Sequence, residues 1–339
     1  MKAIEFFSGI GAFAEAVRNY EIDVVAAFDQ NEAANRVYAH NFALQPCSRN
    51  LDSIKLKDLP RANLWWMSPP CTPFSVRGKQ KGLQDPRAAS LRNLIDIATR
   101  ALPEYILIEN VVGFKNSGAA SHVREMLAPH GYQFEQFDLC STEFGVPMRR
   151  PRHFVVARHE SVERRSESDA ARLPVMAEPP VLCRQDGGPL KGAEHSDMAG
   201  IGSAIGSPCR NGRRRLREFL MEDADADLLL SDAVRQRYEL GFDIVDADDA
   251  EAELICFTKN YERCMRASGS LLRTVDGIRR VSPEEILRLL GFSESFIFPA
   301  HISRSLRWRL VGNSVDVRAI KFILDSLGIT ALETVGVER

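Results

Sequence analysis

A thiol and a carboxylate stand at the ends of two apolar runs that have the length of strands. Cys71 follows two prolines directly after the run LWWM, and Glu109 ends the run YILIE. The prolines fix the backbone and withhold N–H groups, which predicts a rigid, irregular turn around the thiol. A lone cysteine is more often an inert packing thiol, and the two prolines favour the reactive alternative. Because neighbouring parallel strands end at one edge of a sheet, the sequence predicts a thiol and a carboxylate that face one site.

A second pattern indicates a cofactor at the same edge. The run IEFFSGIGAF places a strand directly before a glycine turn and a helix, so that a cofactor can approach the backbone closely. An isolated G-x-G is as often only a tight turn, but Asp29 ends the next strand at about the twenty-residue distance where an acid meets a ribose hydroxyl. Together, the glycine turn and Asp29 favour a cofactor that contains adenosine. Ala14 stands where a nicotinamide fingerprint has its third glycine, which points toward S-adenosylmethionine without deciding the matter.

The order of strands and helices predicts the fold class. Apolar runs alternate with helical patterns as far as Arg158, and this βαβα order requires a largely parallel sheet covered by helices on both faces. The predicted strands are AIEFF, VVAAF, LWWM, YILIEN and HFVVA; the predicted helices begin near Gly11, run through Val37, cover Leu91 to Leu102 and lie near Val123 to Leu127.

The second half of the chain begins irregularly and ends in helices. After Arg158 the chain is rich in Gly, Ser, Pro and charge without a clear period, which predicts a linker or a loop-rich second domain. Regularity returns in VSPEEILRLLGF, where Ser282 and Glu285 form a predicted capping box. A last helix is predicted from about Val315 to Leu327.

The composition excludes several classes of protein. With 45% hydrophobic and 27% charged residues, the chain has the balance of an ordinary soluble globular protein. It contains no apolar run long enough to span a membrane and no signal-peptide pattern, so a cytoplasmic location is expected. The seven cysteines are scattered without a C-x-x-C pair, and they are predicted to be reduced, with neither disulfides nor a metal site.

The charge is nearly balanced, and the arginines are clustered. A net charge of −2 gives no global basic field, so a nucleic-acid partner would have to be held by local clusters of cations. Taken alone, any one cluster is more often a solvated face than a binding site. The candidate clusters are Arg149, Arg150 and Arg152; Arg210, Arg213, Arg214, Arg215 and Arg217; and Arg304, Arg307 and Arg309.

Five segments, in order along the chain, resemble the motifs of the cytosine-5 methyltransferases. They are FSGIGAF, SPPCTPFS, ENVVGF, GVPMRRPRHF and LVGNSV. The resemblance implies an α/β fold with a Rossmann-like S-adenosylmethionine-dependent methyltransferase lobe, whose sheet is mixed and mostly parallel, plus a small target-recognition lobe. On this basis the catalytic, cofactor-binding domain is predicted at residues 1–178 and 271–339, and the target-recognition domain at residues 179–270.

The resemblance also implies a role for each catalytic residue. Cys71 would add to carbon 6 of cytosine, which makes carbon 5 able to take a methyl group. Glu109 would give ring N3 a proton or a strong hydrogen bond. Arg150 and Arg152 would orient the base carbonyl and the adjacent backbone, and the alternative for them is a pair that faces phosphate or the surface. The segment VRGKQKGLQDPR would be a closing loop over a base that has left its stack.

The same resemblance assigns a set of residues that border S-adenosylmethionine. Asp29 is expected on the ribose and Gln30 beside the adenine, while Asp52 is expected near the ring edge. The full set is Phe7, Ser8, Gly9, Gly11, Phe13, Asp29, Gln30, Asp52, Ile54, Pro70, Asn313 and Ser314.

One further segment separates the substrate classes. CFTKNYERCMRASGSLL, from Cys256 to Leu272, resembles the CFT signature of the branch that methylates cytosine 38 in the anticodon loop of transfer RNA (tRNA). A tRNA anticodon loop is therefore the expected partner, and a monomer is the expected state. Arg213, Arg214 and Arg215 are expected to contact the RNA backbone.

The chain also departs from that branch, and alternatives remain. Asn260 and Glu262 stand where small residues or Gly are usual, and Thr72 stands where Gln is usual. These differences bear on substrate choice more than on catalysis. The alternative function is a DNA cytosine-5 methyltransferase of a modification system, which would share every catalytic motif. A binding protein that had lost the chemistry would lack the nucleophile or the carboxylate, and both are present. For Cys256, a packing thiol and a role in the site are equally open.

Overall fold

A six-stranded mixed sheet lies at the centre of the molecule. The computed structural model describes residues 1–70, 88–162, 212–238 and 241–332. The strands of the first half are β1 (Lys2–Phe6), β2 (Asp23–Phe28), β3 (Leu64–Met67), β4 (Tyr105–Asn110), β5 (Tyr132–Leu139), β6 (Met148–Arg149) and β7 (Arg152–His159). The sheet has the order β2-β1-β3-β4-β7-β5. Strands β1 to β4 are parallel, and β7 is antiparallel to both of its neighbours. The predicted α/β class with a mixed, mostly parallel sheet is confirmed.

Burial explains which strands the sequence reveals. Strands β3 and β4 are buried along their whole length, as the centre of a sheet covered on both faces requires. Strand β5 lies at the sheet edge and is buried only at its two ends. Sequence reasoning missed β5 because the polar pair Glu135 and Gln136 interrupts the alternation in YQFEQFDL.

The helices cover the sheet and build the C-terminal part. They are α1 (Ala12–Ala16), α2 (Glu32–Asn41), α3 (Ala89–Ala101), α4 (Gly118–Leu127), α5 (Asp232–Tyr238), α6 (Pro283–Leu289), α7 (Arg304–Gly312) and α8 (Val317–Ser326). The predicted capping box begins α6: the Glu285 N–H donates to Ser282 Oγ at 3.0 Å, and the Ser282 N–H donates to the Glu285 carboxylate at 2.7 Å. Sequence reasoning missed α7, because its arginines interrupt the apolar pattern.

A smaller sheet lies in residues 244–280. Its strands are β8 (Ile244–Asp246), β10 (Leu271–Thr274) and β11 (Gly277–Arg280), in the order β11-β10-β8, and between them β9 (Leu254–Ile255) pairs in parallel with β6. The β6–β9 pair joins this part of the chain to the segment that leads into the central sheet. The predicted division into two domains stays a prediction.

The C-terminal segment packs back onto the N-terminal part. Helix α8 contacts α1, and the Tyr20 hydroxyl donates to Asp325 Oδ1 at 2.8 Å. At the end of α7, Gly312 lies against the backbone of Thr258 and Lys259. Among the described residues, no helix combines the length and the apolar character needed to cross a membrane.

We expect Gly312→Ala to destabilise the fold. A Cβ at this position would overlap backbone atoms of Thr258 and Lys259, which cannot turn aside as the tip of a side chain can. The expected loss in the free energy of unfolding is about 1–3 kcal/mol, measured from urea-unfolding curves. Gly118→Ala is the matched control, because it begins α4 with nothing within 4 Å of the added atom and Ala favours a helix. Equal unfolding midpoints for the two variants would contradict the close packing at Gly312.

Candidate active site

The loop after β1 has an unusual backbone conformation. Phe7 has a φ of 56° and Gly9 a φ of 54°, both in the left-handed region. The Gly9 N–H donates to Asp29 Oδ2 at 2.8 Å, and the Ser8 N–H donates to the Phe28 carbonyl at 3.0 Å. These bonds tie the loop to the end of β2, so the surrounding structure maintains the strained backbone of Phe7.

A cavity of about 830 Å³ opens at the carboxyl edge of the central sheet. It lies where the strand order reverses between β1 and β3, which is where open α/β sheets bind ligands. Of the residues assigned from the sequence, those that line it are Phe7, Ser8, Gly9, Asp29, Gln30, Asp52, Pro70, Glu109, Arg150, Arg152, Asn313 and Ser314. The fold therefore brings strand ends and the segment after α7 together in one place.

Among the described residues, three others that were assigned from the sequence are not part of this lining. Gly11 faces aromatic rings at the end of α2, and Phe13 stacks on another aromatic ring in the core. Ile54 is buried in a hydrophobic cluster. Cys71 lies outside the described residues, directly after a proline that lines the cavity. The roles assigned to these residues stay predictions.

Three residues of the lining have a buried polar atom without a partner in the described part of the chain. These atoms are Ser8 Oγ, Ser314 Oγ and Arg150 Nε. Because buried polar atoms in proteins nearly always find a partner, such a set fits a site that a polar ligand completes. Asp29 adds a carboxylate whose pKa is raised by burial and lowered again in part by two backbone N–H groups. S-adenosylmethionine, with its ribose and its amino acid group, matches these donors and acceptors.

Glu109 ends β4 inside the cavity and is only 5% exposed. Its Oε1 lies 3.1 Å from Arg152 Nε, because β7 is antiparallel to β4 and begins at the edge where β4 ends. Burial raises the pKa of Glu109, and the positive charges of Arg152 and Arg150 oppose that shift. A carboxyl whose pKa lies above its ordinary value can hold the proton that a general acid donates.

Arg150 is buried at the junction of three segments. Its Nη1 donates to the Cys256 sulfur at 3.0 Å and to the Phe257 carbonyl at 2.9 Å. Its Nη2 donates to the carbonyls of Gly312, at 3.4 Å, and of Ser314. The pairing of β6 with β9 brings Arg150 and Cys256 together. The contact of Arg150 with a base stays a prediction.

Cys256 contacts both arginines of the site. Besides the bond from Arg150, its sulfur accepts one from Arg152 Nη2 at 3.9 Å. Burial alone would raise the pKa of the Cys256 thiol, but the two guanidinium groups outweigh burial, so the pKa lies below its ordinary value. The thiol left open by the sequence is therefore half-buried and in contact with site residues.

Two side chains that the sequence analysis did not single out hold the turn before Cys71. Asn110 Nδ2 donates to the Pro69 carbonyl at 3.0 Å, and the Ser68 hydroxyl donates to the Phe7 carbonyl at 2.9 Å. Asn110 is fully buried at the end of β4. The turn, the loop after β1 and the end of β4 are thereby fixed to one another.

Glu5 is a buried acid of the lining that sequence reasoning also missed, although a charge inside the run AIEFF is a visible signal. Its carboxyl accepts a hydrogen bond from the Tyr38 hydroxyl at 2.9 Å and bonds from the N–H groups of Phe13 and Ala14. Burial is the main cause that raises the pKa of Glu5 to about 8. Glu5 is therefore mostly protonated at neutral pH.

Three of the arginines at residues 213–217 are engaged within the protein. Arg213, Arg214 and Arg217 form ion pairs with Glu251, Glu218 and Asp248, respectively. Exposed pairs of this kind are weak, but a cation that is already paired gains less from a phosphate. The structure gives no support to these residues as the main RNA contacts, and that assignment stays a prediction. Arg210 lies outside the described residues.

The sequence profile of one family matches most of the chain. The family is described as C-5 cytosine-specific DNA methylase, and the match covers residues 1–196 and 210–328. The chain belongs to this family. The resemblance inferred from the five motifs is confirmed.

Some relatives within the family are named as tRNA methyltransferases and others as DNA methyltransferases. The tRNA (cytosine(38)-C(5))-methyltransferase of Bos taurus is 30% identical over 96% of this chain and 99% of its own length. The DNA (cytosine-5)-methyltransferase of Dictyostelium discoideum is 28% identical over 96% of this chain and 94% of its own. The crystal structure of the S. pombe Dnmt2 methyltransferase matches with a TM-score of 0.74 and 27% identity, covering 96% of this chain and 98% of that one.

The raised pKa of Glu5 predicts a pH dependence of stability. The pKa of a Glu side chain is 4.5 in its ordinary environment and about 8 for Glu5 in the fold. Because the folded-state value is the higher one, the contribution of Glu5 to stability is complete below about pH 4.5 and is lost as the pH rises to about 8. Glu5→Gln removes the titrating group, so the unfolding temperature of the variant should rise by several degrees relative to that of the unaltered protein between these limits.

Thermal unfolding followed by circular dichroism across this pH range measures the difference. Glu125→Gln, at an exposed position of α4, is the control and should show no such trend. A difference between Glu5→Gln and the unaltered protein that is constant with pH would contradict the protonated state of Glu5.

Proposed function

We propose that the protein transfers a methyl group from S-adenosylmethionine to carbon 5 of a cytosine in a tRNA anticodon loop, with cytosine 38 as the expected position. The observation that carries this proposal is the buried Glu109–Arg152 pair, which lies in one cavity with the loop after β1 and with the turn that leads to Cys71. Family membership supports the reaction type. The tRNA substrate is supported by the CFT segment and by the relatives named for cytosine 38.

S-adenosylmethionine supplies a methyl group that an electron-rich carbon can attack. Asp29 is placed for its ribose, since Asp29 lines the cavity beside the glycine loop that its carboxylate holds. Ser8 and Ser314 offer hydroxyls that have no other partner in the described residues. Gln30, whose amide donates to Asn50 Oδ1 at 3.1 Å, lines the same cavity and would lie beside the adenine.

The residues of the chain activate the cytosine. The Cys71 thiolate adds to carbon 6, and Glu109 gives ring N3 a proton, so that the electron pair of the former double bond becomes available at carbon 5. Transfer of the methyl group to carbon 5 leaves S-adenosylhomocysteine. The proton of carbon 5 then leaves to solvent, the carbon–sulfur bond breaks and N3 returns its proton to Glu109, which restores the aromatic ring, the thiolate and the carboxyl. Arg152, 3.1 Å from Glu109, holds the carboxyl in place and presents positive charge to the base.

The cost of exposing the base favours an RNA loop. A single-stranded loop presents its bases without the loss of pairing, which costs about a few kcal/mol in a duplex. The alternative is a DNA cytosine-5 methyltransferase, because the Dictyostelium discoideum relative of similar identity carries a DNA name.

The role of Asp29 predicts a loss of cofactor affinity. Asp29→Ala should weaken the binding of S-adenosylhomocysteine by about tenfold or more, since hydrogen bonds to charged groups contribute about 1.5–3 kcal/mol. Titration calorimetry measures the dissociation constant. Asp23→Ala, at the opposite end of β2, is the matched control. Equal affinity of the two variants would remove Asp29 from the cofactor site, and a folded protein that binds neither cofactor form would end the proposal.

The catalytic roles predict a loss of turnover without a loss of binding. Cys71→Ala should abolish methyl transfer. Glu109→Gln should lower kcat by about 100-fold or more, because a side-chain amide is too weak an acid to transfer a proton to N3. Both variants should keep the cofactor affinity of the unaltered protein. Labelled S-adenosylmethionine, offered with tRNA and duplex DNA in parallel, measures the transfer, and mapping of the labelled base locates it.

Three outcomes decide against these assignments. Normal turnover by Cys71→Ala refutes covalent catalysis, as does the failure of an RNA with 5-fluorocytosine at the target to trap the protein. If the labelled methyl group is found in DNA and not in tRNA, the protein is a DNA cytosine-5 methyltransferase, which is the alternative function.

A further inference from the structure

A rigid turn at residues 256–263 forms one wall of the cavity mouth. The Thr258 N–H donates to the Ser268 carbonyl at 2.8 Å, and the Cys264 N–H donates to the Asn260 carbonyl at 2.8 Å. Gly312 packs directly against the backbone of this turn, with no room for a side chain between them. The 256–263 turn is therefore held from both sides, and the direction of its side chains is set by the fold.

The tip of the 256–263 turn presents one cation and one amide. Lys259 and Asn260 are both exposed, and both line the cavity. Within the described ranges, neither side chain has a hydrogen-bond or ion-pair partner. Glu262, by contrast, is turned toward α7, where it accepts a hydrogen bond from the Ser305 hydroxyl. The acidic residue of the turn is thus occupied, while Lys259 and Asn260 remain available to a ligand.

Arg309 lies on the face of α7 that meets this turn. It is four residues after Ser305 and three before Gly312, and both of those residues contact the 256–263 turn. Arg309 is exposed, and the described part of the chain offers it no ion-pair partner. Its neighbours in the same cluster, Arg304 and Arg307, are paired with Asp225 and Glu284, respectively.

We infer that the 256–263 turn and Arg309 hold the nucleotides next to the target cytosine. Lys259 and Arg309 bind backbone phosphates on either side of that base, and Asn260 hydrogen-bonds the edge of a neighbouring adenine. This inference rests on the proposed function and extends it from the reaction to the recognition of the RNA. It makes Lys259, Asn260 and Arg309 the principal RNA contacts, in place of the predicted Arg213, Arg214 and Arg215.

The chemistry of the three side chains fits these roles. An unpaired ammonium or guanidinium beside a nucleic-acid cleft gains free energy by releasing counterions from phosphate. The amide of an asparagine offers one donor and one acceptor, which match the N6 and N7 atoms of adenine in a bidentate pair.

Equilibrium binding over a range of salt concentrations tests the phosphate contacts. The probe is a labelled RNA stem-loop with one cytosine in its single-stranded loop, measured by fluorescence anisotropy. Lys259→Ala and Arg309→Ala should each weaken binding about fivefold or more at low salt and reduce the slope of log affinity against log salt by about 0.7. Arg61→Ala, an exposed cation at the opposite edge of the sheet, is the control. If Lys259→Ala and Arg309→Ala show the same slope of log affinity against log salt as Arg61→Ala, the proposed phosphate contacts are wrong.

Four stem-loops that differ only in the base beside the target test Asn260. The unaltered protein should prefer adenine by about fivefold or more, the lower end of what a bidentate pair contributes. Asn260→Ala should bind all four equally and keep the salt slope, since it loses a base contact and no charge. Asn260→Asp should disfavour adenine, because a carboxylate cannot donate to N7. An unchanged adenine preference in both variants, or no preference in the unaltered protein, overturns this role.

The binding assay separates this inference from the proposed function. In one outcome the stem-loop binds, the two variants reduce the slope of log affinity against log salt, and no methyl group is transferred. The proposed reaction is then wrong, and the proposed RNA contacts are supported. If the stem-loop is methylated and the variants leave the slope unchanged, the contacts are wrong and the reaction stands. No binding by the unaltered protein overturns both.

Discussion

The site depends on a single buried guanidinium. A charge removed from water is costly unless it is paired and hydrogen-bonded, and Arg150 meets this condition through four partners from two distant segments. One segment carries Cys256 and Phe257, and the other carries Gly312 and Ser314. Because removal of either segment would leave the charge uncompensated, the position of Arg150 requires that both be in place.

The need to pair buried charges also explains how the other charged groups of the cavity are arranged. Arg150 and Arg152 lie between two groups that can carry negative charge, Glu109 and Cys256. Both guanidinium groups favour the ionised thiol, whereas burial keeps the pKa of Glu109 raised against them. The two arginines therefore lower the pKa of Cys256, while the pKa of Glu109 stays raised. Pairs of ionisable groups whose environments drive their pKa values apart are a mark of acid–base sites.

Local patterns allowed much of this arrangement to be predicted. The glycine turn after β1, the acid that ends β2 and the prolines before Cys71 are each recognisable within a few residues, and the fold brings most of them to one edge. The partners of Arg150 could not be predicted, because they lie 106 to 164 residues away and meet it only through the fold. The protonated state of Glu5 could not be predicted for a similar reason. Its charge is visible in the sequence, but its pKa depends on burial and on Tyr38.

The packing of the C-terminal segment has a consequence for the order in which the protein is made. Residues 312–315 line the cavity together with the strand ends of the first 110 residues. A ribosome releases the sheet long before it releases these residues, so the nascent chain holds Arg150 without its carbonyl partners for much of translation. During that interval the buried charge opposes closure of the half-made core. The active site can therefore form completely only after residues 312–315 have been made, because pairings between distant segments form last.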